Sequence, residues 1–269
     1  MKKQISICLL AAAVVSIVCS TSLYAWGGRT HKKITSDAYF IMPEAFRKFL
    51  GETSKEARLG ELMAACVEPD TVLKDFKNHV YHIQGYDLGN GPFKVNELAK
   101  EIVNDIKRKA PISKIIQKLG WISHYVADLT QPLHTGVATW EGIEEKSYHS
   151  SFEKDVDNHI YCYGVYFDGA NATDRISARI VYEALWANQY YTSIESAYTK
   201  GNRYVDTNSI AAICYSRAVN NVYDIWYSIW VAAGGKTNPK VDGKPRNYPP
   251  YQQGTKEKTP SLPRSVDTY

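Results

Sequence analysis

Nowhere along the 269 residues does an apolar/polar alternation of period two persist. That excludes a sheet as the organising element, and the chain reads as mostly helical. The apolar run near the start, Ile5 to Val18, falls short of the roughly 20 residues that a membrane-spanning helix needs. No strong charge of one sign is present either: 32 Lys and Arg stand against 28 Asp and Glu, a formal net charge of +4. So near-neutral a balance does not argue for a nucleic-acid footprint. Cysteine is scarce, five in all, and Cys8 and Cys19 fall in the leading segment. Cys66, Cys162 and Cys214 remain, so at most one disulfide can form among them, with its connectivity unreadable.

The leading segment, 1–25, has Lys2 and Lys3, the apolar run, and a small-residue stretch through Ser20, Thr21, Ser22 and Ala25. This is the pattern of a secretory signal peptide cleaved after Ala25. Cys19 offers the alternative of a lipoprotein signal, to which Val18 before it is a poor fit. Cleavage leaves about 244 residues with a net charge of +2, enough for one sizeable core. The expected localisation is secreted or periplasmic. Trp26 becomes the first mature residue, and its amino group and carbonyl oxygen can then chelate a metal beside His31.

What the chain does have is histidine in a pattern. Between Gly120 and Glu153 lie His124 and Asp128, then His134, then His149 and Glu153. Two pairs sit four residues apart, and on a helix that spacing stacks both side chains on one face. A lone pair of this kind is more often a hydrogen-bonded surface or core pair. Two pairs with a fifth candidate between them point to a transition metal, and imidazole with carboxylate suits zinc. Pro132 stops the helix beyond Asp128 and lets the chain return His134 toward the pairs. Asp70, His79, His82 and His31 supply further candidates, and only His159 of the seven histidines has no place in such a cluster.

Helical patterns are expected at 30–40, 43–50, 57–67, 93–109, from Pro111 through Asp128, around the second pair, and at 174–199 and 208–233. Residues 85–92, with Gly85, Gly89, Gly91 and Pro92, read as a loop. Tyr182, Trp186, Tyr190, Tyr223, Trp226 and Trp230 read as core rather than as a stacking platform. From Gly235 the composition turns to Lys, Pro, Asn and Gln, so 235–269 is expected to be a disordered tail without a core of its own. The domain layout is then a signal peptide at 1–25, a helical domain at 26–234 and the tail. The fold class is all-α, a single-domain bundle with metal ligands on facing helices.

The segment His124-Tyr125-x-x-Asp128-x-x-x-Pro132-x-His134, with Trp26 and the His149-x-x-x-Glu153 pair, resembles the zinc-dependent phospholipase C and single-strand-specific nuclease superfamily. The resemblance implies three zinc ions in one cleft. Asp70, His79, His124 and Asp128 would hold the first, and His134, His149 and Glu153 the second. Trp26 and His31 would hold the third, with Asp128 bridging first and third. His79 is preferred to His82, although the interval from Asp70 is short for the family and leaves His82 open. Asp70 is implied as ligand and general base for a zinc-activated water.

Glu153 as last ligand and the short interval from His134 to His149 look like the phospholipase branch, whereas Gln131-Pro132-Leu133-His134 looks like the nuclease branch. Of the choline-recognising positions Phe76 matches, but Arg29 stands where an acid and Thr71 where a tyrosine is expected. The expected function is a phospholipase C releasing diacylglycerol at a phospholipid membrane surface, as a monomer without a stable protein partner. The alternatives are a zinc nuclease or nucleotidase acting on another phosphodiester substrate, and a zinc-stabilised binding protein.

Overall fold

The computed structural model describes residues 26–51, 55–85, 88–138, 143–244 and 246–248. Helices dominate them: α1 (Gly28–Ile41), α2 (Glu44–Phe49), α3 (Lys55–Ala65), α4 (Gly91–Lys107), α5 (Ile112–Asp128), α6 (Ile143–His159), α7 (Ile176–Asn188), α8 (Tyr191–Lys200), α9 (Tyr204–Ala232) and α10 (Pro239–Asp242). Extended structure is confined to two short pairs. β1 (Gln84–Gly85) runs parallel to β2 (Val137–Ala138), and β3 (Val165–Phe167) runs antiparallel to β4 (Arg246–Tyr248). The helical class read from the missing alternation is the observed one.

Two helices run through the interior, α5 and α9. The first half of α5 buries one stripe, Ile115, Ile116 and Leu119, but from Ile122 to Asp128 every residue is buried. A helix end enclosed on all sides has to supply polar groups only where other groups meet them. Gly120 allows this enclosure, since a Cβ there would come 2.5 Å from Ala65 Cβ of α3. On the other flank the Trp226 indole of α9 donates to the Leu119 carbonyl at 3.2 Å. One continuous core joins α1, α4, α5, α6 and α9.

Three details differ from the sequence pattern. The helix expected over 174–199 is broken at Gln189 and Tyr190 into α7 and α8. The Asn188 side chain donates to the Thr135 carbonyl, and Tyr191 lies so close to Gly136 that a Cβ there would meet its ring at 2.2 Å. Tertiary seating beside His134 therefore overrides continued helix. Tyr223, Trp226 and Trp230 are core as expected, but Tyr182 is 56% exposed.

The third difference corrects the boundary of the expected tail, since residues 235–244 and 246–248 fold back on the body. The Trp230 indole donates to the Lys236 carbonyl, Tyr223 donates to the Asp242 carbonyl, and β4 pairs with β3. Backbone hydrogen bonds to buried aromatics take the place of the aliphatic side chains this stretch lacks. Residues 249–269 and the segment 1–25 lie outside the described residues.

Candidate metal centre

The enclosed end of α5 carries His124 and Asp128, one turn apart and both fully buried. Helix α1 brings His31 against them: the His31 and His124 rings stack at 3.8 Å, and His31 Nε2 lies 3.1 Å from Asp128 Oδ1. After α3 the chain makes a π-turn, Pro69–Leu73, that turns Asp70 inward. A 3₁₀ turn, Phe76–Asn78, then delivers His79. His79 Nδ1 lies 3.0 Å from Asp128 Oδ2, 3.1 Å from His124 Nε2 and 3.4 Å from Asp70 Oδ1.

Beyond α5, Gln131 accepts from the Leu133 N–H and caps the 3₁₀ turn Pro132–His134. That turn aims His134 at α6, where His134 Nε2 stands 3.5 Å and His149 Nε2 2.7 Å from Glu153 Oε1.

Three groups of donors therefore converge, each with its ligand atoms within 4.8 Å of one another: His31, His124 and Asp128; Asp70, His79 and His124; His134, His149 and Glu153. All eight side-chain candidates other than Trp26 fall in these groups. Trp26 is itself buried, with its indole donating to the carbonyl of Ala127, next to Asp128, at 2.9 Å. Its ring lies 6.1 Å from Phe152, next to Glu153. Asp157 accepts from the Thr30 N–H and hydroxyl and packs where a side chain on Gly27 would be, fixing the first turn of α1. Among the described residues His82 joins none of the groups, and neither does His159, which donates to the Asp155 carbonyl and stacks on Tyr204.

Hydrogen bonding shows what these atoms are disposed to bind. His124 Nδ1 donates to the Cys66 carbonyl at 2.7 Å and His134 Nδ1 to the His79 carbonyl at 2.8 Å. Each imidazole thereby keeps its Nε2 lone pair for the centre. Conversely, His31 Nε2, Asp70 Oδ1, Asp128 Oδ1 and His134 Nε2 are buried without a hydrogen-bond partner. Buried polar atoms are rarely left so. Atoms of this kind, each within one of the convergent donor groups, fit cations of the zinc type, with mixed nitrogen and oxygen donors.

Electrostatics agree. Burial acts against a charged His124, but the neighbouring Asp128 and Asp70 outweigh it and lift its pKa to about 10. Burial raises Glu153 to about 8. Burial and the neighbouring His124 hold His31 below its ordinary value. Asp128 is well below the carboxylate range despite its burial, because His124, His31 and His134 face it. Cations would displace the protons that otherwise balance these carboxylates.

Two supporting residues were not singled out by spacing. Gln131 donates from Nε2 to Glu153 Oε1 and lies 3.0 Å from His149 Nε2. Asp75 lies on the outer side of His79. A glutamine one residue before a proline, and an aspartate outside a helix, carry no periodic signal. The Cys66 thiol, raised to about 12 by burial, takes no part, while its carbonyl does. Cys66 and Cys214 are free thiols.

A family model described as zinc-dependent phospholipase C matches residues 30–208. Among solved structures, the alpha-toxin of Clostridium perfringens from avian strain SWCP superposes with a TM-score of 0.59 at 12% identity, over 81% of this chain and 66% of that one. The alpha toxin of Clostridium absonum superposes with a TM-score of 0.56 at 18% identity, over 78% and 66% respectively. At such identities the likeness is one of fold, and the chain spans a little under two thirds of either toxin's length. No curated protein matches the sequence.

Proposed function

The chain belongs to the zinc-dependent phospholipase C family, and on that premise we propose that it is a phosphodiester hydrolase that releases diacylglycerol from phospholipid. The observation that carries this is the convergence of three donor groups, in which the buried His31 Nε2, Asp70 Oδ1, Asp128 Oδ1 and His134 Nε2 have no hydrogen-bond partner. Asp70, His79, His124 and Asp128 would hold one zinc ion, His134, His149 and Glu153 a second, and His31, Asp128 and the amino and carbonyl groups of Trp26 a third. When bound, the ions supply Lewis-acid polarisation of the phosphoryl oxygens and acidify the attacking water. Asp70, as ligand and general base, would accept that water's proton; the water oxygen would bond to phosphorus as the P–O bond to the diacylglycerol breaks, and the departing oxygen would take up a proton. Buried histidines that bond to backbone carbonyls hold this geometry without side-chain rearrangement.

The surroundings favour lipid over nucleic acid. Val72, Leu73 and Phe76 are exposed in the segment between Asp70 and His79. Leu88 and Phe93 are exposed beside it, where Asn90 and Gly91 donate to the Lys77 and Val80 carbonyls. An apolar rim of this kind, with Lys74 and Lys77 exposed within it, suits the surface of an anionic bilayer. Arg29 is exposed on the first turn of α1, two residues before His31, and lies over the Tyr161 ring. A cation there disfavours choline and favours a head group carrying negative charge. Export with cleavage after Ala25 would place the enzyme outside the cytoplasm as a monomer, and would free the Trp26 amino group.

The test is protein beginning at Trp26, loaded with zinc and assayed in parallel on mixed phospholipid vesicles and on single-stranded DNA. Diacylglycerol with intact DNA is the expected result. Cleaved DNA with intact lipid would move the chain to the nuclease branch.

A further inference from the structure

Tyr125 is part of the sequence signature but falls in none of the three donor groups, and its hydroxyl donates to Asp75. Both Asp75 oxygens are engaged: Tyr125 donates to Oδ1 at 2.9 Å and Oδ2 at 2.7 Å, and Asn78 Nδ2 donates to Oδ2 at 2.7 Å. Asn78 is held in turn by Asn90, whose Nδ2 donates to its Oδ1 at 2.7 Å. What remains of Oδ1 faces His79 Nε2 at 3.3 Å. The segment reaches this arrangement because Lys74, at φ 53°, ends the π-turn in the left-handed region and redirects the chain.

We propose that Asp75 is a positioning residue, clamped by Tyr125 and Asn78, that accepts the Nε2 proton of His79 and so presents the Nδ1 lone pair of His79 to the metal centre. Three features distinguish His79 from its neighbours and support the assignment. First, its outer nitrogen meets a carboxylate, whereas those of His124 and His134 meet neutral carbonyls. A carboxylate acceptor raises the donor strength of the ligating nitrogen as well as fixing the tautomer. Second, the ring is held edge-on by Tyr125, with centroids 5.2 Å apart and planes at 82°. The residue that clamps Asp75 therefore also sets the tilt of the imidazole. Third, the turn that bears His79 has no regular helix to orient it, being a single 3₁₀ turn. His124, by contrast, is fixed by α5 itself. An imidazole on so short a turn needs an external anchor, and Asp75 with Tyr125 connects it to the rigid end of α5.

The inference rests on zinc occupying the site as proposed above, so zinc uptake by the wild-type protein is measured first. Asp75→Ala, Asp75→Asn and Tyr125→Phe are then compared by chelator competition, which reads the affinity of each bound ion without reference to activity. One ion is expected to weaken by about 10–100-fold in the Asp75 variants, and by a smaller factor of the same kind in Tyr125→Phe, with the remaining ions unchanged. Asp75→Asn keeps the shape of the side chain and serves where Asp75→Ala does not fold. The ring signals of His79 in nitrogen NMR supply the second readout, with a protonated Nε2 in the wild type and a mixed tautomer in metal-free Asp75→Asn. If the Asp75 variants lose thermal stability but bind every ion as the wild type does, Asp75 is structural and the proposal falls while the metal centre stands. If the wild type takes up no zinc, the metal centre itself falls and this inference with it. Zinc binding without lipid hydrolysis leaves the inference intact and overturns only the substrate.

Discussion

Asp128 and Glu183 are equally buried carboxylates, at 0% and 1% exposure, in two polar clusters of opposite design. Glu183, on α7, receives Arg217 through Nε at 2.6 Å and a terminal nitrogen at 3.1 Å, Arg179 at 3.0 Å and Asn221 at 2.9 Å. Asp224 completes that cluster and takes the same Arg179 at 2.9 Å, so two guanidinium groups meet two carboxylates. Around Asp128, Asp70 and Glu153, every ion-pair partner among the described residues is a histidine. One cluster carries its own fixed counter-charge and the other relies on mobile protons or on cations. The lack of a fixed cation beside the carboxylates, rather than buried charge as such, separates the candidate metal centre from the structural ion cluster.

The largest expected effect comes from removing Asp128, the carboxylate that faces His31, His79 and His124 at once. Asp128→Ala is expected to reduce phosphodiesterase activity by more than the roughly 100-fold typical of an outer-shell residue, and to lower the number of bound zinc ions. The latter is read by elemental analysis after dialysis. Retained activity at reduced zinc content would remove Asp128 from the reaction and erase the distinction between the clusters.

Next in size is the reciprocal change. Glu183→Ala leaves Arg179 and Arg217 without their shared partner. Because those arginines are about a quarter to a third exposed (26% and 30%) and can rehydrate, the loss is placed at about 3 kcal/mol, the low end for a broken buried pair. Denaturant unfolding measures it, and zinc affinity of the folded protein is expected to stay at the wild-type value. A Glu183 variant that lost zinc but kept its stability would reverse the assignment of the two clusters.

The same contrast explains how much was legible in the sequence. His124 with Asp128 and His149 with Glu153 are local, four residues apart on helices, so the helical period alone brings them together. Arg179 with Glu183 has that spacing too, and looks no different in the chain. Its meaning comes from Arg217, Asn221 and Asp224 on α9, which no local pattern links to α7. Asp75 was hidden because its anchor, Tyr125, lies fifty residues away. The break at Gln189 and Tyr190 was hidden because a tertiary contact with Gly136 decides it. Ligands set by helix periodicity could be read, whereas the groups that orient them depend on which elements touch.

The smallest expected effect concerns the protons that balance the centre when no cation does. Glu153 holds its proton to about pH 8 in the folded protein, against an ordinary value of 4.5. Between these limits the unfolded chain has released a proton that the fold retains, so stability falls as pH rises. His124, lifted to about 10 from 6.5, contributes stability that is complete below 6.5 and lost as pH rises through 10. His31, held below 6.5, acts in the other direction only while the unfolded chain's histidine titrates, and its contribution is complete above that pH. The metal-free protein is therefore expected to lose thermal stability from pH 6.5 to 8, by a few degrees for a chain of this size. The zinc-loaded protein is expected to gain over the same window, since fewer protons compete for the donors. Asp224, which burial raises to about 7, lies in the arginine cluster and lowers both curves alike, so the difference between loaded and metal-free melting temperatures isolates the metal centre. A difference that stays constant from pH 6.5 to 8 would mean that zinc binds without displacing these protons, and the two clusters would then be balanced in the same way.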